Sequence, residues 1–118
     1  MRLAVIAAGR LKPGPEKSLA EDYLTRAQGL GRKCGIAKIA VTEFNESQAS
    51  SAVARMAEEG RVFAGALPVK CFTVVLDERG KALPSDAFAE LLRRHLDGGT
   101  PDMAFLIGGP DGHSPDLR

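Results

Sequence analysis

The residues best placed to bind a ligand follow the last apolar run of the chain, at Gly108 and Gly109. Residues 103–107 are short and apolar, as in a buried strand, and the run stops at these two glycines. Glycine has no Cβ atom, so a ligand can lie directly against the main chain at such a position. The sequence therefore predicts a binding crevice where this strand ends.

A second strand end carries a different chemistry. Residues 69–76 are rich in β-branched and apolar side chains, which is typical of a strand, and a charged turn follows at residues 77–81. In parallel sheets, ligands bind beyond the carboxyl ends of the strands. The ends of these two strands, at residues 76–80 and 108–110, are therefore the candidate places for a ligand, and the simpler interpretation is a buried strand-end leucine and a turn glycine.

The titratable residues beside these strand ends do not provide a convincing general base. We interpret His113 as a solvent-facing loop histidine, and Asp77 and Glu78 as turn or capping residues. His95 lies among leucines near the end of a predicted helix, where a histidine interacts favourably with the helix dipole. The sequence thus assigns no catalytic residue.

Several familiar motifs are absent from the sequence. Residues 9–14 have the glycine spacing of a phosphate loop, but Pro15 and Glu16 stand where that motif requires Lys and then Ser or Thr. A generic nucleotide-binding module, one alternative, would need that loop. Cys34 and Cys71 form no CxxC pair, so we expect reduced thiols in a cytosolic protein and no metal site.

The elements that must position the two strand ends alternate along the chain. We predict strands at residues 3–8, 36–44, 69–76 and 103–107. We predict one helix with Pro15 in its first turn, a second capped by Asn45 or Ser47, and a third capped by Ser85 or Asp86. This order favours a single α/β domain over residues 1–118, with a mainly parallel sheet, helices on both faces and right-handed crossovers.

Two further patterns concern helices. In the first helix, apolar side chains recur at helical spacing, at Leu19, Tyr23, Ala27 and Leu30. Near the end of the chain, Ser114 and Pro115 resemble an N-cap and the first residue of a fourth helix. We therefore expect a helix to start there, with Arg118 as its last available residue.

Charge and hydropathy restrict the class of protein. Residues 1–40 hold eight cations and three anions, whereas residues 41–118 hold eight cations and twelve anions. A basic front half can contact phosphates, although a solvated helix face explains it equally well. No apolar run is long enough to span a membrane, and the start has no secretion-signal pattern.

Three segments together resemble the ribosomal RNA large subunit methyltransferase H family. They are residues 1–12 (MRLAVIAAGRLK), 76–81 (LDERGK) and 105–112 (FLIGGPDG), and the resemblance covers the whole chain. It implies a SPOUT-like α/β-knot fold and a cytoplasmic homodimer. It also implies an S-adenosylmethionine-dependent methyltransferase that acts on N3 of a pseudouridine in 23S rRNA of the ribosome. Carried over by position, Leu76, Gly108 and Gly109 are the implied cofactor-binding residues.

The chain differs from the family's pattern after Arg118. In the family a further strand, a cofactor loop and a long helix follow, and they complete the knot. We therefore expect an incomplete domain that lacks the C-terminal knot segment, either as a truncated product or as a sequence that stops early. The functional alternative is an inactive remnant that acts at most as a binding or structural module.

Overall fold

The computed structural model describes residues 1–117, in which strands and helices alternate. The four strands are β1 (Arg2–Ala8), β2 (Lys38–Phe44), β3 (Cys71–Leu76) and β4 (Asp102–Ile107). The three helices are α1 (Pro15–Cys34), α2 (Ala52–Ala66) and α3 (Ser85–Asp97). The predicted alternation of elements is confirmed.

The strands form one parallel sheet in the order β2-β1-β4-β3. β4 lies inside the sheet, and its residues Met103, Ala104 and Leu106 are completely buried. A strand covered on both faces reads as a continuous apolar run, which explains the sequence of β4. The predicted α/β fold class with a parallel sheet is confirmed, and the end of β4 lies between the ends of β1 and β3.

Helices cover both faces of this sheet. Phe63 of α2 is buried in a cluster with Ile6 and Leu106 on one face. Successive side chains of a strand point to opposite faces, so Phe105 points to the other one. There its ring lies 5.7 Å from that of Phe88 in α3. α2 is therefore the helix that covers the face opposite α3.

The apolar stripe predicted on α1 does not pack against the sheet. Leu19, Tyr23, Ala27 and Leu30 are all exposed. The face that turns inward instead carries Gln28, whose side-chain amide donates to the Ile39 carbonyl of β2 at 2.9 Å, and Gly31, which is buried near the end of the helix. The helical spacing predicted the helix but not its inward face.

The predicted starts of two helices need correction. α2 is capped by Ser51, whose hydroxyl accepts a hydrogen bond from the Ala54 amide at 3.1 Å, and not by Asn45 or Ser47. Ser47 is engaged elsewhere, since its amide donates to Glu59. α3 starts at Ser85, but Pro84 is the N-cap and no side chain caps the helix.

The other boundaries shift slightly. β3 begins at Cys71 because Lys70 takes the left-handed conformation, with a φ angle of 59°. Residues 115–117 form a turn in which the Leu117 amide donates to the Ser114 carbonyl at 3.0 Å, so the predicted fourth helix is not formed within them. Its continuation at Arg118 lies outside the described residues.

Within residues 1–117, no helix is both long and apolar enough to cross a membrane. The same part of the chain holds no group of three or more His, Cys, Asp or Glu side chains that could bind a metal ion. Both cysteine thiols are free, with Cys34 exposed.

Candidate functional site

The two predicted strand ends lie side by side. β3 and β4 are neighbours, and Leu76 and Ile107 are register partners at their last positions. A cavity of about 270 Å³ opens between residues 76–79 and residues 107–113. The structure therefore brings Leu76, Gly108 and Gly109 together around one cavity, as the sequence analysis expected.

Gly108 is required by the packing of its own turn. A Cβ atom there would lie 3.1 Å from the carbonyl carbon of Gly112 and 3.2 Å from Cε1 of His113. The turn is closed by the Gly112 amide, which donates to the Gly109 carbonyl at 2.9 Å. The space that a side chain at Gly108 would need is thus filled by the turn itself. The main chain of Gly108 still lines the cavity.

Gly109 is constrained from the other side, by a buried carboxylate. A Cβ atom at Gly109 would lie 3.0 Å from Oε1 of Glu59, a residue that is only 4% exposed. Oε2 of Glu59 accepts a hydrogen bond from the Ser47 amide at 2.9 Å. Oε1 is buried and has no hydrogen-bond partner among residues 1–117. The role of Glu59 was not predicted, because in the sequence this residue looks like any other charged residue on a helix.

Helix α2 holds the turn along one of its faces. Arg55, Glu59 and Phe63 are spaced by four residues, so their side chains share a face of the helix. Arg55 binds Asp111 through Nε at 2.6 Å and Nη2 at 3.3 Å. With Glu59 against Gly109 and the Phe63 ring 5.4 Å from that of His113, the three residues contact alternate positions of the turn. We call them the α2 stripe.

The ion pair of the α2 stripe also fixes a charge. The hydrogen bond from Arg55 lowers the pKa of the Asp111 carboxyl, which therefore stays ionised at neutral pH. An oxygen held in this way is a poor proton acceptor. Asp111 thus positions the turn and is not suited to act as a base.

His113 is buried, so its interpretation as a solvent-facing histidine is wrong. Only 2% of the residue is exposed, and its Nε2 lies 3.1 Å from the carbonyl oxygen of Leu76. This contact could not be predicted from the sequence, because the histidine follows a polar, glycine-rich turn. The link joins the turn after β4 to the end of β3, across the cavity.

The other wall of the cavity is a turn with an apolar base. Asp77 is a turn residue, as predicted: its Oδ1 accepts from the Arg79 amide at 3.1 Å and its carbonyl accepts from the Gly80 amide at 2.9 Å. Leu76 and Ile107 are 48% and 43% exposed at the strand ends. Two exposed aliphatic side chains on adjacent strands offer an apolar surface to a flat ring. Ile107 was missed, although its place at the end of β4 is visible in the sequence.

Charged side chains line the cavity on both walls. Asp77, Glu78 and Arg79 lie on the β3 side, and Asp111, whose charge is balanced by Arg55, lies on the side of the glycine turn.

The opposite end of the sheet is held by an ion pair and by ring packing. Nε and Nη2 of Arg2 bind the two carboxylate oxygens of Asp102, each at 2.8 Å, and this lowers the pKa of the Asp102 carboxyl. Burial raises the pKa of the Cys71 thiol, which leaves it a weak nucleophile. His95 stacks on Phe72 at 4.0 Å between ring centroids. These contacts are structural.

The sequence matches a family of known proteins. A family model described as "Predicted SPOUT methyltransferase" matches residues 1–118. Proteins named ribosomal RNA large subunit methyltransferase H are 48% identical in Bradyrhizobium diazoefficiens, 49% in Bradyrhizobium sp. (strain ORS 278) and 48% in Rhodopseudomonas palustris (strain HaA2). Each alignment covers 100% of this chain and 73% or 74% of the relative.

Proposed function

Because this chain belongs to the SPOUT methyltransferase family, we propose that it transfers a methyl group from S-adenosylmethionine to N3 of a pseudouridine in 23S ribosomal RNA. The observation that carries the proposal is the cavity between the ends of β3 and β4. All three residues that the family resemblance implies for cofactor binding, Leu76, Gly108 and Gly109, line it.

The cavity fits part of such a cofactor. Its volume of about 270 Å³ is slightly below the range of roughly 300–1,000 Å³ that is usual for small-molecule sites. Leu76 and Ile107 would hold the adenine or ribose, and the main chain of Gly108 and Gly109 would flank it.

The chemistry asks mainly for alignment. When bound, S-adenosylmethionine supplies a methyl group on a sulfonium leaving group. The protein's part is to hold the donor site rigid, so that a ring nitrogen can approach to about 3 Å in line with the methyl group. The α2 stripe and the paired strand ends provide this rigidity. We assign no residue to accept the N3 proton, which requires a positioned base or water.

The substrate and the assembly are part of the same proposal. The relatives' names specify ribosomal RNA, and the family resemblance supports action on the ribosome by a cytoplasmic homodimer. Lys12, Arg32 and Lys33 are exposed in the basic front half of the chain and are available for phosphate contacts. The matches to methyltransferases favour this function over an inactive remnant that acts as a binding module.

Binding calorimetry with S-adenosylmethionine tests the proposal, with ATP as the comparison ligand. We expect S-adenosylmethionine to bind and ATP not to bind. Replacing the half-exposed Leu76 by Ala should weaken binding by about tenfold, because an apolar contact of roughly 1.5 kcal/mol is removed. A matched control is Leu83→Ala, since Leu83 is similarly exposed but does not line the cavity. Equal binding by both variants would contradict the site.

Methylation of ribosomes tests the substrate. With methyl-labelled S-adenosylmethionine, label should enter 23S rRNA at one pseudouridine, and Leu76→Ala should slow its incorporation. Label at a ring carbon or on ribose would contradict the N3 assignment while leaving the methyltransferase function in place.

A further inference from the structure

We propose that His113 is a positioning residue, which sets the spacing between the two walls of the cavity by holding the carbonyl group of Leu76. The inference rests on the proposed function for its consequence, the binding of a methyl donor. It concerns a residue for which neither the motifs nor the family resemblance supplied a role.

In the hydrogen bond between His113 and Leu76, the histidine is the donor. A carbonyl oxygen only accepts hydrogen bonds, so Nε2 of His113, 3.1 Å from the oxygen of Leu76, must carry the hydrogen. Its second ring nitrogen, Nδ1, is buried and has no partner among residues 1–117. The bond to Leu76 is therefore the contact that selects the tautomer of the ring.

The imidazole ring of His113 is tightly packed. The ring of Phe63 lies 5.4 Å away between centroids, and the Cβ position of Gly108 lies 3.2 Å from Cε1 of His113. Any side chain at Gly108 would displace the ring. A histidine that is 2% exposed and packed in this way cannot turn to another partner without moving the turn.

The hydrogen bond from His113 connects the two walls of the cavity. Leu76 ends β3 and forms one wall of the cavity, whereas His113 ends the turn that forms the other. The sheet ladder pairs the strands only as far as Leu76 and Ile107. Beyond that register, the bond from His113 ties the turn back to β3. Without it, the turn would keep its contacts with α2 but lose this bond to β3, and the gap that receives the ligand would be held less firmly.

A pair of substitutions separates this role from packing alone. In His113→Gln the amide nitrogen can still donate to the Leu76 carbonyl, whereas His113→Leu keeps the bulk without a donor. We expect His113→Leu to bind S-adenosylmethionine about tenfold more weakly, the effect of one hydrogen bond of ordinary strength, and His113→Gln to stay within about threefold. His95→Leu, at the far end of β3, is the control and should bind normally.

The tautomer can be measured without any ligand. In protein labelled with ¹⁵N at histidine, long-range ¹H–¹⁵N correlation should show the Nε2–H form for His113. His95 is an internal reference, because its Nδ1 lies 2.8 Å from a Thr100 hydroxyl that can donate or accept and so forces neither tautomer. An Nδ1–H form at His113, or rapid averaging between the two forms, would overturn the inference.

The outcomes separate the two proposals. If S-adenosylmethionine does not bind the unmodified protein, the proposed function fails, and the tautomer still decides whether His113 holds Leu76. If it binds and His113→Leu and His113→Gln are equally affected, the positioning role is refuted and the function stands. Should His113→Leu fail to fold, His113→Gln and the tautomer spectrum together give the answer.

Discussion

The two ends of the sheet are built differently. At the end where the strands begin, Arg2 and Asp102 saturate each other with two hydrogen bonds, and main-chain bonds join Arg2 to Pro101 and Ala37 to Met1, both at 2.9 Å. At the end where the strands finish, polar atoms are buried without partners. Both of the buried side-chain atoms that lack a partner within residues 1–117, Oε1 of Glu59 and Nδ1 of His113, lie against the glycine turn.

The difference assigns a role to each end. A buried polar atom without a partner costs about 1–3 kcal/mol, so two of them in one place are a local loss of stability. Natural proteins retain such losses mainly at functional sites and compensate for them elsewhere. We infer that the end with Arg2 and Asp102 contributes stability, and that the end with Leu76 and the glycine turn forms the candidate site. Substitutions at each end can test whether stability and ligand binding are separate in this way.

The largest effect is expected at the turn itself. Gly108→Val places side-chain atoms where main-chain atoms of Gly112 already lie, at 3.1 Å from the added Cβ, and the backbone cannot yield without moving the turn. Overpacking of this kind costs about 1–3 kcal/mol, so the affinity for S-adenosylmethionine should fall by about 10- to 100-fold, as measured by calorimetry.

The matched glycine for that experiment is Gly29, within α1. A Cβ atom there would meet nothing within 4 Å. Gly29→Ala should therefore raise the free energy of unfolding by about 0.5–1 kcal/mol, since alanine is the better helix former, and leave binding unchanged. Normal binding by Gly108→Val would break the separation of the two ends.

A pH effect is expected at the opposite end of the sheet. Because Arg2 lowers the pKa of Asp102 below its unfolded value of about 3.9, the ion pair stabilises the protein above that pH. This contribution is lost as the pH falls through the lower folded pKa. In Asp102→Asn the pair is absent at every pH, so urea denaturation should show lower stability at neutral pH and a smaller further loss in acid. Affinity for S-adenosylmethionine at neutral pH should not change, and a change would contradict the assignment of roles.

The smallest effect is expected at Glu59, and it has the opposite sign. Glu59→Gln keeps an oxygen for the Ser47 amide but removes a buried negative charge. The free energy of unfolding should increase by about 1 kcal/mol, because an amide costs less to bury than a carboxylate whose Oε1 has no hydrogen-bond partner within residues 1–117. Binding should weaken by a few-fold as the turn relaxes.

Its control is the next residue along α2. Glu58 is exposed and accepts a hydrogen bond from the Ser47 hydroxyl. Glu58→Gln should change stability by less than about 0.5 kcal/mol, as surface substitutions usually do. If Glu59→Gln destabilises the protein, the carboxylate stabilises the fold, and the contrast between the two ends is weaker than we infer.

Much of the fold was predictable because the sheet is parallel and buried. A strand that is covered on both faces must be apolar throughout, which is why β1 and β4 stand out in the sequence. The meeting of Leu76 with Gly108 followed from the same logic, since neighbouring parallel strands end at one edge. The use of these residues by a cofactor remains a prediction.

What could not be predicted depends on contacts between distant segments. Ser51 rather than Ser47 caps α2 because Glu59 and Glu58 both engage Ser47. His113 is buried only because Phe63 and the Leu76 carbonyl are brought to it by the fold. Periodicity predicted α1 but not its inward face, because the apolar residues of that pattern are all exposed.

The four-residue spacing of the α2 stripe restricts which substitutions the core tolerates. Arg55, Glu59 and Phe63 contact three alternate residues of the turn, so the position of the helix determines the position of the turn. A core substitution that shifts Phe63 would therefore displace the whole turn, although it lies outside the cavity. Sequence drift in this hydrophobic core is therefore constrained by the shape of a pocket that its side chains never line.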